Sequence, residues 1–273
     1  MRFTHRTVAI ALAVLSSGCQ LQRLTASEAR DALEETQIAQ QAAALTSASV
    51  EVTTDFTIGS AVESAAGEIR SFVANQLPCA EIAVERATIT IGYGKRSGDC
   101  RFNGHTFAGT HSVEVARNEM GDVLVQHTWD GFNNGVLRLD GTADVTWDAA
   151  DRERRIDHEL TWTRLRDGRM GVGSGARVQE PLAGGLIEGI RVDGTRAWEG
   201  DAGHWELDIE GIQMRWVDPV PQAGRYQLET PFDKTVGLVF TRVDEDTIAV
   251  TVEGPRRSFS YNVNALGQIS ASE

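Results

Sequence analysis

Leu137, Leu139, Gly141, Ala143, Val145 and Trp147 alternate with Arg138, Asp140, Thr142, Asp144, Thr146 and Asp148. A period of two held this long predicts a β-strand with one dry face and one wet face. The next segment, residues 156–166, alternates through Ile156, His158, Leu160 and Trp162, and Asp167-Gly168 then offers a tight hairpin turn. Trp205, Leu207 and Ile209 occupy odd positions, whereas Ile212, Met214 and Trp216 occupy even ones. The phase slips at Glu210-Gly211, which predicts a β-bulge. Turn signals at Asp218-Pro-Val-Pro221, around Asp233, at Asp244-Glu-Asp246 and at Pro255 divide the remainder into four shorter strands. Roughly twelve strands between about 83 and 264, nearly all joined by short connections, predict a mainly β fold. The expected form is a large antiparallel meander, as a curved sheet, a barrel or a sandwich.

Two segments break this rhythm. Val62, Ala66, Ile69, Phe72 or Val73, and Leu77 recur at helical spacing and stop at Pro78, predicting an amphipathic helix packed on the sheet. Its polar face carries Glu63, Glu68 and Arg70 rather than a basic row, so packing is favoured over a membrane-surface role. Earlier, Thr25-Ala-Ser-Glu28 has the form of a capping box and opens an Ala/Gln/Glu-rich segment to about Leu45. Its apolar residues do not hold one face, so it is expected to be a helical stalk outside the folded domain, with a partner-binding coil as the other reading. Residues 50–57 alternate and are expected to form a short strand.

The 273 residues carry a formal charge of −13, and 41% of them are hydrophobic, enough for a real core. Such a negative surface repels phosphate backbones and argues against nucleic acid as a partner. Lysine occurs only at Lys95 and Lys234 against 24 arginines, which reads as a GC-rich coding bias.

The N-terminus has a basic head (Arg2, Arg6), an apolar run over residues 8–15, and Ser16-Ser-Gly-Cys19. This is the layout of a secretory signal, and eight apolar residues are far too few to span a bilayer. The Leu15-Ser-Ser-Gly-Cys19 string resembles the bacterial lipobox, in which the chain is cut before a cysteine that receives diacylglycerol. The resemblance implies lipidation of Cys19, and Gln20 after it implies the outer membrane. Loss of residues 1–18 would bring the charge to −15, since they hold two arginines and no acid. With Cys19 assigned to lipid, Cys79 and Cys100 remain as a pair in an exported chain and are expected to form a disulfide. The expected division is therefore a signal peptide (1–18), a lipid-anchored stalk (19–48) and one β-rich domain (49–273).

A weak repeat runs through the strands. Residues 107–113, 139–145 and 192–198 each place an apolar residue, a glycine and a second large residue on one face. Gly109, Gly141 and Gly194 are expected either to leave room for a neighbouring ring or to let a curved sheet bend. Cys79, Cys100, Asn103-Gly104 and Gly109-Thr110 together resemble a loose group of uncharacterised β-rich bacterial envelope lipoproteins, over about residues 79–200. That resemblance brings no activity with it.

Signs of chemistry are sparse. Ser174 lies in Gly171-Val-Gly-Ser-Gly175, where Val172 replaces the first glycine of a nucleophile elbow, and no dinucleotide loop is formed there. His105 and His111 would share one side of an extended strand, with His127, His158 and His204 on strands that could neighbour it, but no ligand spacing supports zinc. Asp140, Asp144 and Asp148 share a wet face, which suits a solvated ladder better than paired catalytic carboxylates. Asp244-Glu-Asp246 lacks calcium-loop spacing. Trp129, Trp147, Trp162, Trp198, Trp205 and Trp216 are expected in the core, the rival being a carbohydrate- or lipid-lined groove.

These readings lead to an exported, lipid-anchored outer-membrane protein with a structural or binding role, no catalytic residues, no cofactor and no metal. The alternative is a periplasmic carrier of a lipid or other apolar ligand, resembling lipoprotein-sorting and glycolipid-carrier folds in architecture. A glycan hydrolase using the Asp-rich face comes third. The expected partners are the membrane, through the lipid, and an apolar ligand or another envelope protein.

Overall fold

A computed structural model describes residues 23–53, 62–102, 104–117, 123–148, 153–185 and 187–272. Residues 1–18, expected to be a signal peptide, and Cys19 lie outside the described residues. Two helices, α1 (Ala26–Thr53) and α2 (Val62–Gln76), precede the strands. The strands run as β1 (Glu81–Glu85), β2 (Thr88–Tyr93), β3 (Arg101–Phe102), β4 (His105–Thr106), β5 (Ala108–Arg117), β6 (Val123–Asn133), β7 (Leu137–Asp148) and β8 (Glu153–Arg164). They continue as β9 (Met170–Pro181), β10 (Ile190–Gly200), β11 (Gly203–Met214), β12 (Ala223–Glu229), β13 (Thr235–Arg242), β14 (Thr247–Gly254), β15 (Arg257–Asn264) and β16 (Ile269–Ala271). Fourteen of them form one antiparallel sheet in chain order, with β1 and β16 at its edges, while β3 and β4 make a separate hairpin. The architecture is the expected meander, as an open sheet rather than a closed ladder. It has a few more strands than the turn signals suggested.

Alternation places the faces. β7 coincides with the twelve-residue period-two run, and in β8 the buried residues are Arg154, Ile156, His158, Leu160, Trp162 and Arg164. Trp129, Trp162, Trp198 and Trp205 lie on the same inner side and are at most 4% exposed, so they are core. Trp198 and Trp205 stack with centroids 6.2 Å apart. Cys79 and Cys100 are joined, tying the end of α2 to the β3–β4 hairpin.

The repeated glycines bend the sheet. Gly141 and Gly194 have φ of 141° and 144°, and a Cβ on either would fall 2.2–2.3 Å from a backbone oxygen of the adjacent strand. The ladder slips beside Gly109, Gly131, Gly194 and Gly211, the last being the bulge that the phase change predicted. Each Asp-Gly-Thr copy also does a second job. Asp140 Oδ1 accepts the N–H of bulge Gly131 at 2.7 Å, and Asp193 Oδ1 accepts that of bulge Gly211 at 2.6 Å. Room for rings comes instead from inward glycines of β9. A Cβ on Gly171 would strike the Trp162 ring at 2.3 Å, and one on Gly175 would meet His158 and Arg196 at 2.7–2.8 Å.

Helix α1 corrects the expectation of a stalk. The capping box is present, with Thr25 N donating to Glu28 Oε2 at 2.8 Å and Glu28 N donating to Thr25 Oγ1 at 3.2 Å. The helix does not stop near Leu45, however. It runs through Thr53, so residues 50–53 are helical rather than a strand, and 54–57 fall outside the described residues. Residues 42–53 are buried without interruption. A helix buried on every side must be surrounded, and here the sheet curves around it. Leu24 is fully buried against Gly254, so α1 packs with the β-rich region from its first turn rather than standing apart from it. Helix α2 packs on β1, β2 and β5, as its amphipathic spacing required.

Two glycine substitutions should act in opposite directions. Gly194→Ala is expected to lose about 2 kcal/mol or more through strain and the backbone clash. Gly67→Ala, on exposed α2 with open space around it, should gain up to about 1 kcal/mol. Denaturant unfolding of both variants checks this.

Candidate functional site

The chemistry concentrates where α1 meets the inner face of the sheet. Here strand alternation carries polar side chains inward, and each must find a partner away from water. Helix α1 supplies many of them. Glu51 pairs with Arg154, both at most 6% exposed. Arg154 also donates through Nε and Nη2 to Gln179 Oε1, at 3.1 and 2.7 Å, and Gln179 Nε2 donates to Ser47 Oγ at 3.3 Å. Trp129 Nε1 donates to Ser49 Oγ at 3.0 Å, and Tyr226 Oη donates to Gln40 Oε1 at 2.6 Å. Glu35 accepts from Trp198 Nε1 at 3.3 Å and pairs with Arg169. Burial pushes the Glu35 carboxyl above its ordinary value, against the pull of that guanidinium.

Between these contacts lie two guanidiniums of a different kind. Arg177 and Arg196 are 4% and 8% exposed. Among the described residues neither pairs with a carboxylate, and the Nε of each is buried without a hydrogen-bond partner. Arg177 Nη1 reaches His158 Nδ1 at 3.4 Å, and Arg196 Nη1 donates to the Ala39 carbonyl at 3.3 Å. Desolvation foremost, with the neighbouring guanidiniums, depresses the Arg177 pKa, and desolvation depresses that of Arg196. Between α1 and β8–β10 the remaining space is about 10 Å³, lined by Ala39, Ala42, Ala43, Trp162, Trp198 and Arg196 among others. That is barely the volume of one water.

The histidines separate into distinct environments. His111 and His127 are fully buried, with Nε2 of the first 2.9 Å from Nδ1 of the second, both stacked near Trp129. Tyr93 Oη lies 3.4 Å from His111 Nδ1. Desolvation lowers His111 to about 3, and His127 well below the ordinary imidazole range, so both are neutral. His158 sits among the arginines and is lowered to about 2, first by burial and then by Arg177 and Arg196. His204 is exposed between Glu206 and Glu199, which raise its pKa. His105 does not share a strand with His111, because the chain leaves the β3–β4 hairpin at Phe107 before β5 begins. Among the described residues no three His, Cys, Asp or Glu side chains converge as metal ligands.

The acids that suggested hydrolysis face outward. Asp140 is engaged by Gly131 N and by Arg138. Asp144 lies opposite Asp157 across the β7–β8 ladder. Asp144, Asp157, Glu159, Glu206, Asp208 and Glu229 border an open trough of about 770 Å³, floored by the small side chains of Ser174, Ala176 and Ala197. Ser174 is exposed on this outer face, and among the described residues no histidine bonds to it. No known family, curated protein or solved structure matches the chain.

The neutral buried imidazoles fix a pH dependence. Below about pH 6.5 the unfolded chain takes up protons that the native His111, His127 and His158 refuse, so stability falls as pH falls, by about 1.4 kcal/mol per unit for each. His158→Gln should shrink the loss between about pH 7.5 and about pH 5 by roughly 2 kcal/mol. Denaturant titrations at the two pH values measure it.

Proposed function

We propose that the chain is a bacterial outer-membrane lipoprotein, anchored through Cys19, with a binding rather than a catalytic role. In this reading α1 occupies the inner face of the sheet in place of an amphiphilic ligand and leaves when that ligand enters. The carrying observation is that five α1 side chains, Glu35, Gln40, Ser47, Ser49 and Glu51, each bond a side chain of the sheet's inner face.

The composition of α1 suits a removable element. Its middle is built on Ala39, Ala42, Ala43, Ala44 and Ala48, whose small side chains add little apolar area compared with a leucine stripe. The strand ladder passes through β1–β2 and β5–β16 without using α1, so its departure breaks no strand pairing. The N-terminal end is the natural pivot. Leu24 N donates to the Pro255 carbonyl at 3.3 Å, and Lys234 Nζ bonds Glu28 at 2.6 Å. What would be uncovered is a wall combining Trp129, Trp162, Trp198 and Trp205 with Arg154, Arg177 and Arg196, a mixture suited to a molecule with a tail and a polar head.

Anchoring adds a geometric consequence. Cys19 lies five positions before buried Leu24, and five extended residues reach at most about 18 Å. A lipidated Cys19 would hold the pivot of α1 close to the bilayer surface, with no spacer between anchor and domain. The gap of about 10 Å³ between α1 and β8–β10 argues against a permanently open carrier cavity there, and the hydrolase reading has no catalytic acid set apart from the others along the outer trough.

Labelled palmitate should enter the wild-type chain and not Cys19→Ala, with loss of membrane association in the variant. Delipidated protein mixed with an envelope lipid extract, re-isolated and examined by native mass spectrometry should carry a lipid. An unlabelled soluble chain refutes the anchor, and a chain that takes up nothing refutes the binding role.

A further inference from the structure

We infer that Arg177 and Arg196 form an oxyanion site of the phosphate class, which receives the head group of the amphiphile once α1 has moved. This rests on the reading of α1 given above and names the chemistry its inner face selects.

The argument begins with cost. A buried cation is tolerated when a carboxylate or a full set of acceptors compensates it. Arg154 satisfies that rule through Glu51 and Gln179, and Arg164 satisfies it through Asp167 at 2.6 Å. Arg177 and Arg196 do not. They stand on adjacent strands of the same inner face, pair with no carboxylate among the described residues, and each keeps an unpartnered buried Nε–H. Two guanidiniums left with spare donors in a dry site describe an anion receptor without its anion.

The surroundings are shaped for these side chains. Arg196 lies over Gly175, where a Cβ would strike its Cγ at 2.8 Å, and Arg177 is opposite Gly194, where a Cβ would come within 2.7 Å of the Arg177 Cα. Glycine at 175 leaves the space that the Arg196 side chain fills, while glycine at 194 lets the backbones of β9 and β10 approach beside Arg177. The groups around them are His158, Tyr226, Arg154 (itself paired with Glu51) and, from α1, the Ala39 carbonyl, which accepts from Arg196. Apart from Glu51, which Arg154 already neutralises, none of these groups carries a formal negative charge. A phosphate monoester, at close to two charges near neutral pH, matches two guanidiniums in charge and in donor number. The present gap of about 10 Å³ is too small for it. The site opens only as the Ala39–Ala43 stretch of α1 lifts, which makes head-group capture and helix departure one event.

The test uses the mature chain with three probes: dodecyl phosphate and dodecanol, both below micelle formation, and inorganic phosphate. Dodecyl phosphate is expected to bind at least about tenfold more tightly than dodecanol, as one charge-assisted contact of this kind implies. Arg177→Met and Arg196→Met should each abolish that preference, bringing the two affinities together, and their thermal stability should hold or rise, since apolar replacement relieves an unpaired charge. Equal binding of the two amphiphiles, or a preference that survives both substitutions, overturns the oxyanion site and leaves the removable helix standing. Binding of inorganic phosphate alone, lost in both variants, keeps the site but identifies a free oxyanion and refutes the amphiphile. Binding of none of the three refutes both readings. Should a variant fail to fold, arginine Nε–H resonances of the wild type decide the matter: two must shift with dodecyl phosphate and stay fixed with dodecanol.

Discussion

The ion pair between Glu51 and Arg154 is the contact on which the architecture turns. It is the most buried charge pair joining α1 to the sheet, and removing one partner of such a pair strands the other charge, at a cost of about 3–5 kcal/mol. Through Gln179 and Ser47 the same cluster fixes the rotation of α1, so that Ser49 meets Trp129 at one end and Gln40 meets Tyr226 at the other. A sheet of fourteen strands twists and tends to curl of itself, but nothing in that tendency sets what it curls round. The bend glycines permit it, and this polar seam gives the curved face something to close upon.

Charge is sorted across the sheet in a way that follows from the same seam. The acids of β7, β8 and β11, among them Asp144, Asp157, Glu159, Glu206 and Asp208, line the outer trough, while Arg154, Arg177 and Arg196 point inward. The chain is strongly acidic as a whole, yet its interior is cationic. An inner face of arginines and tryptophans, occupied by an alanine-rich helix, is an uneconomical core if stability alone is the aim. It makes sense as a surface with a second occupant.

The strands were legible in the sequence because period-two alternation survives in β7 and β8 with few breaks, and the bulge at Gly211 showed as a phase slip. Helix α1 was legible as a helix, through Thr25 and Glu28, but not as a core element. Its buried set includes Glu35, Gln40, Ser47, Ser49 and Glu51, so no apolar stripe marks the face that packs. The inner arginines were hidden for the matching reason. A charged residue at a strand position reads as solvent-facing, and only the partner on a distant helix shows otherwise. Asp140 was read as part of a solvated ladder, and the structure adds a role that its wet-face position did not signal, that of holding the Gly131 bulge. The repeated Asp-Gly-Thr string carried that information, since Asp193 and Gly211 repeat the arrangement.

Native-state hydrogen exchange of the lipid-free chain tests the central claim, that α1 is seated within the sheet and can leave it as a unit. Amides of residues 33–53 should be protected far beyond those of a solvent-exposed helix and should open together, at a lower free energy than the amides of β8–β10. Exchange at the rate of a free helix would contradict the seating of α1, and opening only in step with global unfolding would contradict its release.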